Sequence, residues 1–146
     1  MNKQENMNVR GEVEYRAYNE QGEQIAHVRK NNLVVTLGRT AASRLIGSYT
    51  SGKQITQFGV GTGSVAPTLA DTALTSQYKN NVTAVSYPDG ASVLFDWALD
   101  YSEANGKNIR EMGLLCTDNT LFARIATDLI AKSAGIRLVG TWKITF

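Results

Sequence analysis

Gly47-Ser48-Tyr49-Thr50-Ser51-Gly52-Lys53 has the spacing of a loop that wraps phosphates, with a lysine placed to reach them. The chemistry fails one residue later, because Gln54 stands where a Ser or Thr hydroxyl should reach magnesium. A plain polar turn is expected there, with Lys53 an exposed loop residue. Gly61-Thr62-Gly63-Ser64-Val65-Ala66 fits the loose pattern of a dinucleotide-binding turn. The residues after Pro67 are too few and too unpatterned for the long helix whose N-terminus would hold pyrophosphate, so a glycine-rich bend at a strand end is expected.

The only histidine, His27, and the only cysteine, Cys116, sit in separate strand-like stretches without the sequence context of a nucleophile and its base. A surface histidine and an inert, part-buried thiol are expected. Asp96, Asp100 and Glu103 offer carboxylates for acid–base work or calcium, but four residues of strand separate Asp96 from Asp100 by roughly 13 Å, too far to share one ion. Asn81-Val82-Thr83 fits the glycosylation pattern and is read as coincidence. Glu111, between Arg110 and Met112, is expected to form a structural ion pair with Arg124 or Lys132. No catalytic, cofactor-binding or metal-ligating set is assigned, no cofactor is expected, and the chain is not read as an enzyme.

The elements that must position these residues are short strands. Val9, Gly11, Val13, Tyr15 and Ala17 alternate with polar residues, and Asn19-Glu20-Gln21-Gly22 supplies a turn before Ile25 to Val28. One short helix is predicted near 37–46, with Thr36 as its cap, Leu37, Ala41, Ala42, Leu45 and Ile46 on its apolar side, and Gly47 at its end. Ile55 to Val60 and Val82 to Tyr87 read as strands, and Pro88-Asp89-Gly90 as a turn. Val93, Phe95, Trp97, Leu99 and Tyr101 form the clearest alternation. Asn105-Gly106 predicts a tight hairpin that pairs Ile109 to Cys116 back onto that strand. Asp118-Asn119 turns into Leu121 to Ala126, and Ile136, Leu138, Gly140, Trp142, Ile144 and Phe146 share the face of a last strand. The fold class is therefore mainly all-β, an antiparallel β-sandwich or jelly roll. Its predicted core includes Phe95, Trp97, Leu99, Leu138, Trp142 and Ile144.

With 146 residues the chain has room for one domain, taken as 9–146, preceded by a polar arm, 1–8. Charged residues are 19% of the chain and the net charge is +2, with no basic cluster denser than Arg29-Lys30, which argues against a nucleic-acid partner. A single cysteine excludes an internal disulfide, and no stretch approaches the ~20 apolar residues of a membrane helix. No signal peptide is read at the N-terminus. No membrane partner is expected, and synthesis in the cytoplasm is.

Gly59-Val60-Gly61-Thr62-Gly63, Ala66-Pro67, Asp71-Thr72-Ala73-Leu74, Asn105-Gly106, Ile109, Glu111, Gly113-Leu114-Leu115, Leu121-Phe122-Ala123-Arg124, Lys132 and the closing Thr141-Trp142-Lys143-Ile144-Thr145-Phe146 follow one another in an order that resembles small virion structural proteins of tailed bacteriophages. Asn31-Asn32-Leu33-Val34-Val35-Thr36-Leu37-Gly38 is similar to the opening of small phage head-associated proteins. The resemblance implies a β-rich, non-enzymatic virion building block, made in the host cytoplasm and homo-oligomeric within the particle. Its implied partners are capsid or tail subunits and copies of itself. A capsid decoration or cement role comes first; a tail, collar or baseplate component is the alternative. The arm residues Met1, Asn2, Lys3, Gln4, Glu5, Asn6, Met7 and Asn8 are candidate subunit contacts. A different class, a small sandwich binding a host glycan through Trp97, Trp142 or tyrosines, is disfavoured because both tryptophans fall on the predicted core face.

Overall fold

The computed structural model describes residues 8–48 and 51–146. Among them the elements run β1 (Arg10–Tyr18), β2 (Gln24–Val34), α1 (Thr36–Ile46), β3 (Ile55–Gly61), β4 (Tyr78–Asn81), β5 (Ala84–Ser86), β6 (Ser92–Leu99), β7 (Asn108–Cys116), β8 (Leu121–Ala131) and β9 (Arg137–Thr145). The fold is mainly antiparallel β with one short helix, as the sequence predicts. Its strands form a single curled sheet in the order β4-β3-β7-β8-β2-β1-β9-β6-β5.

Strand β2 is where the sheet turns over. Its residues 24–32 pair with β1, whereas only Leu33 and Val34 reach β8. One layer is thus β2-β1-β9-β6-β5 and the facing layer is β8-β7-β3-β4. Phe58 of the second layer stacks on Trp97 of the first, with ring centroids 3.9 Å apart and planes 9° from parallel, and Tyr15 and Trp142 close around them. All six predicted core residues are buried in this cluster.

The first hairpin forms where its turn residues place it: the Asn19 side-chain oxygen accepts from the Gln21 and Glu23 N–H groups, and Gly22 takes φ +76°. Two predicted connections are corrected. Asn105-Gly106 does not close a tight hairpin, since β6 pairs with β5 and β9 while β7 pairs with β3 and β8. The chain instead crosses between layers there. A second crossing splits the stretch predicted as one strand from Val82 to Tyr87: the Val82 N–H bonds Thr56 O in one layer and the Thr83 N–H bonds Asp96 O in the other. Phe146, predicted on the buried face of the last strand, lies past its end and is 48% exposed.

The helix starts one residue from its predicted cap. Val35 is the N-cap without a side-chain cap, and Thr36 is already helical. Gly38 and Ala41 are the buried residues, because the helix lies so close to β8 that a Cβ on Gly38 would sit 2.1 Å from Phe122 O. This close approach rotates the predicted apolar face, leaving Leu37 exposed and Ile46 82% exposed.

Candidate functional site

Strands β3 and β7 carry Gly59, Gly61 and Gly113 on their outer face, beside Glu111 of β7 and Arg124 of β8, because residues directly opposite in a ladder share a face. The missing side chains leave a trough, and loop 62–77 lies over it. Within the trough Arg124 Nε donates to Glu111 Oε2 at 2.7 Å, Nη1 to Asp71 Oδ2 at 3.0 Å and Nη2 to Val65 O at 2.8 Å. Glu111 Oε1 in turn accepts from the N–H groups of Thr75, at 2.5 Å, and Gly63, at 3.1 Å. The side chains of Glu111 and Arg124 are only 1% and 5% exposed. A Cβ on Gly61 or Gly63 would lie 2.4 or 2.9 Å from Glu111 Oε1, so the dinucleotide-like glycines serve to seat a carboxylate of the chain itself. Gly113 provides a close approach to Leu121, while the irregularities in β7 fall on either side of it.

Of the residues predicted to pair, Glu111 and Arg124 meet and Lys132 does not join them. Lys132 is buried elsewhere, its Nζ donating to Asp100 O, Asn105 Oδ1 and Ser133 O, each at 3.0 Å. It holds the crossing between β6 and β7, and burial lowers its pKa against the opposing pull of Glu103 and Asp100. Asp71 is the member of the Arg124 cluster that the sequence did not flag. Burial pushes its carboxyl upward, but hydrogen bonds from the Thr68 N–H and hydroxyl, with the Arg124 charge, leave it below its ordinary value. Thr68 followed three residues later by Asp71 was the available signal, since an acid at that spacing from a threonine in a loop can close a local turn.

The remaining sets do not converge. Lys53, expected to be exposed, is part-buried; its Nζ lies 2.6 Å from Asp118 Oδ2, and the loop joins a helix to a strand, the reverse of a phosphate-binding context. Residues 49 and 50 of that motif lie outside the described residues. His27 sits on the wet face of β2, 3.5 Å from Glu14. Cys116 is fully buried rather than part-buried, and burial first, then Asp118, pushes its thiol up to about 11. Asp100 pairs with Arg137, and Glu103 accepts from Tyr78 and Asn80. Trp97 and Trp142 are 1% and 0% exposed, which removes both from any glycan-stacking surface. Among the described residues no group of three or more His, Cys, Asp or Glu is placed to hold a metal, and no helix is long and apolar enough to cross a membrane.

What the surface does offer is apolar. A cleft of about 800 Å³ opens between α1 and the rim formed by β5, β6 and the end of β9. Phe95, Phe122 and Ile144 floor it, and Ile46, Val85, Tyr87 and Phe146 stand at its edges, 82%, 45%, 77% and 48% exposed. Among the described residues Asp89 is the one charged side chain on its wall, and the rest of the lining is mainly apolar, so the cleft can bury apolar area. The sequence hid it by placing Ile46 and Phe146 on the apolar faces of the helix and the last strand. Of the candidate arm, Asn8 is exposed, and Met1 to Met7 lie outside the described residues. No family model matches this chain, and neither does any curated protein or solved structure.

Proposed function

We propose that this chain is a non-enzymatic structural protein of a tailed-bacteriophage virion, acting as a capsid decoration or cement protein that bridges neighbouring subunits. The observation that carries this reading is the apolar cleft: large exposed side chains gather at one end of a domain whose Glu111, Arg124 and Lys132 are all spent on internal contacts. Such a surface suits protein contact and offers little to a substrate. The ordered resemblance from Phe58 to Phe146 supplies the phage context, and Glu111 and Arg124 within it act here as a structural clamp.

Counting the chain by quantitative mass spectrometry in purified particles tests the proposal. On the order of hundreds of copies suits a shell, whereas a ring-like count of about three, six or twelve moves the protein to the tail, collar or baseplate. Absence from the particle overturns the virion reading.

A further inference from the structure

We propose that β5 is a contact strand through which two copies of this chain pair edge to edge, antiparallel, about a twofold axis. The proposal deepens the reading of the cleft as a contact surface and rests on it: a second copy covers the cleft's β5 wall.

Among the described residues the sheet leaves strand edge open at β4, at β5 and along the facing parts of β2 and β8 that have separated. Unpaired edges invite another strand, and charged side chains are the usual guard against it. The β2 edge is guarded by His27, Arg29 and Lys30, and Lys30 Nζ reaches across the gap to Ala126 O at 2.5 Å. The β4 edge carries Lys79. From Asn80 to Pro88, by contrast, no residue is charged.

Neutrality favours this strand meeting itself. A twofold contact sets the strand against its own copy, residue i beside j and j beside i about the axis, so an edge charged with one sign would repel itself and a neutral one does not. Val85 is opposite Phe95 in the ladder and faces the cleft, while Ala84 and Ser86 take the other face beside Asp96 and Leu94. Pairing through β5 therefore brings Val85 and Tyr87 of both copies together beside Ile46 and Phe146. With three residues in β5, backbone bonds alone give too little contact, and the apolar rim must supply the rest. A modest dimer follows, with Kd on the order of micromolar.

Sedimentation velocity of the full chain from about 1 to 200 μM tests the pairing. The expected result is a concentration-dependent monomer–dimer equilibrium. Val85→Lys should leave only monomer in that range. Ser86→Lys, a solvent-face change that spares the cleft and serves should the first variant fail to fold, should raise Kd at least about tenfold. Ile25→Lys on the β2 edge should leave the equilibrium unchanged. A wild-type chain that stays monomeric throughout overturns the proposal, as does a dimer that survives both β5 lysines or one that is lost only with Ile25→Lys. The particle count is a separate readout: a monomer found in virions rejects this pairing and not the placement, and a β5 dimer absent from virions rejects the placement and not the pairing.

Discussion

Strands β9 and β7 are both nine residues long, yet their burial has little in common. Along β9 every second residue is buried, because one face meets the core and the other meets solvent. Along β7 the six residues from Glu111 to Cys116 are buried without a break. The difference lies in what covers the outer face. The outer residues of β9 are all half-exposed, whereas loop 62–77 covers β7 and brings Leu74 into a second small core with Val35, Leu115 and Leu121. The same loop closes Glu111 and Arg124 off from water. A strand with one wet face keeps its charged pairs at the surface, as Arg137 of β9 does with Asp100; a strand covered on both faces can hold a buried charged clamp, provided each charge is fully bonded.

The largest effect is expected where the two layers touch. Trp97→Ala removes the ring stacked on Phe58 and should cost about 3 to 5 kcal/mol, measured by urea denaturation, since neither layer can collapse to fill the space. A loss below about 1 kcal/mol would mean that the layers are not held by this contact.

Arg124→Met tests the covered layer by itself. It leaves Glu111 buried without its cation and should cost about 3 to 5 kcal/mol. Unlike Trp97→Ala, it should also make loop 62–77 sensitive to limited proteolysis while the first layer stays protected, because Asp71 and Val65 lose their anchor. Equal protease sensitivity in the two variants would erase the distinction between the layers.

A smaller penalty, about 1 to 3 kcal/mol, is expected for Gly61→Ala, whose methyl would press on the Glu111 carboxylate and Thr75 O. The same urea titration reads it, and an unchanged midpoint would show that the trough has room to spare.

The smallest effect belongs to the half-buried pair between Lys53 and Asp118. The Lys53 hydrogen bond, followed by those from Thr120, holds the Asp118 carboxyl at about 2 against an ordinary 3.8. A carboxyl lowered by folding stabilises the fold at pH above its unfolded value, and that contribution disappears as pH falls from about 4 toward 2. Solvent screening limits it to about 0.5 kcal/mol. In Lys53→Met, thermal melts across this window should show a shallower dependence on pH than the wild type; an identical dependence would assign the shift to Thr120.

Much of the first layer was legible because period-2 alternation survives wherever one face is wet. The Asn19 to Gly22 turn, the alternating residues of β1, β6 and β9, and the packing of Trp97 and Trp142 all follow from that pattern. The second layer was less so. Its strands were located, but continuous burial carries no period, and the Asn105-Gly106 turn gave no sign of which layer the chain would enter next. Glu111 and Arg124 could be suspected as partners; that Lys132 would serve a different crossing could not. The cleft was the least legible feature, since Ile46, Val85, Tyr87 and Phe146 look like core residues until their neighbours are known.

By itself, then, the sequence determined the strand-rich class, the single helix and the apolar face of each alternating strand, all of which depend on residues within a few positions of one another. Only the tertiary structure decided which strands are neighbours, which face of the helix is buried, which charges meet under loop 62–77 and which apolar side chains remain outside. Those outcomes depend on contacts between residues far apart in the chain, such as Gly38 with Phe122 and Asp71 with Arg124, and local periodicity carries no information about them.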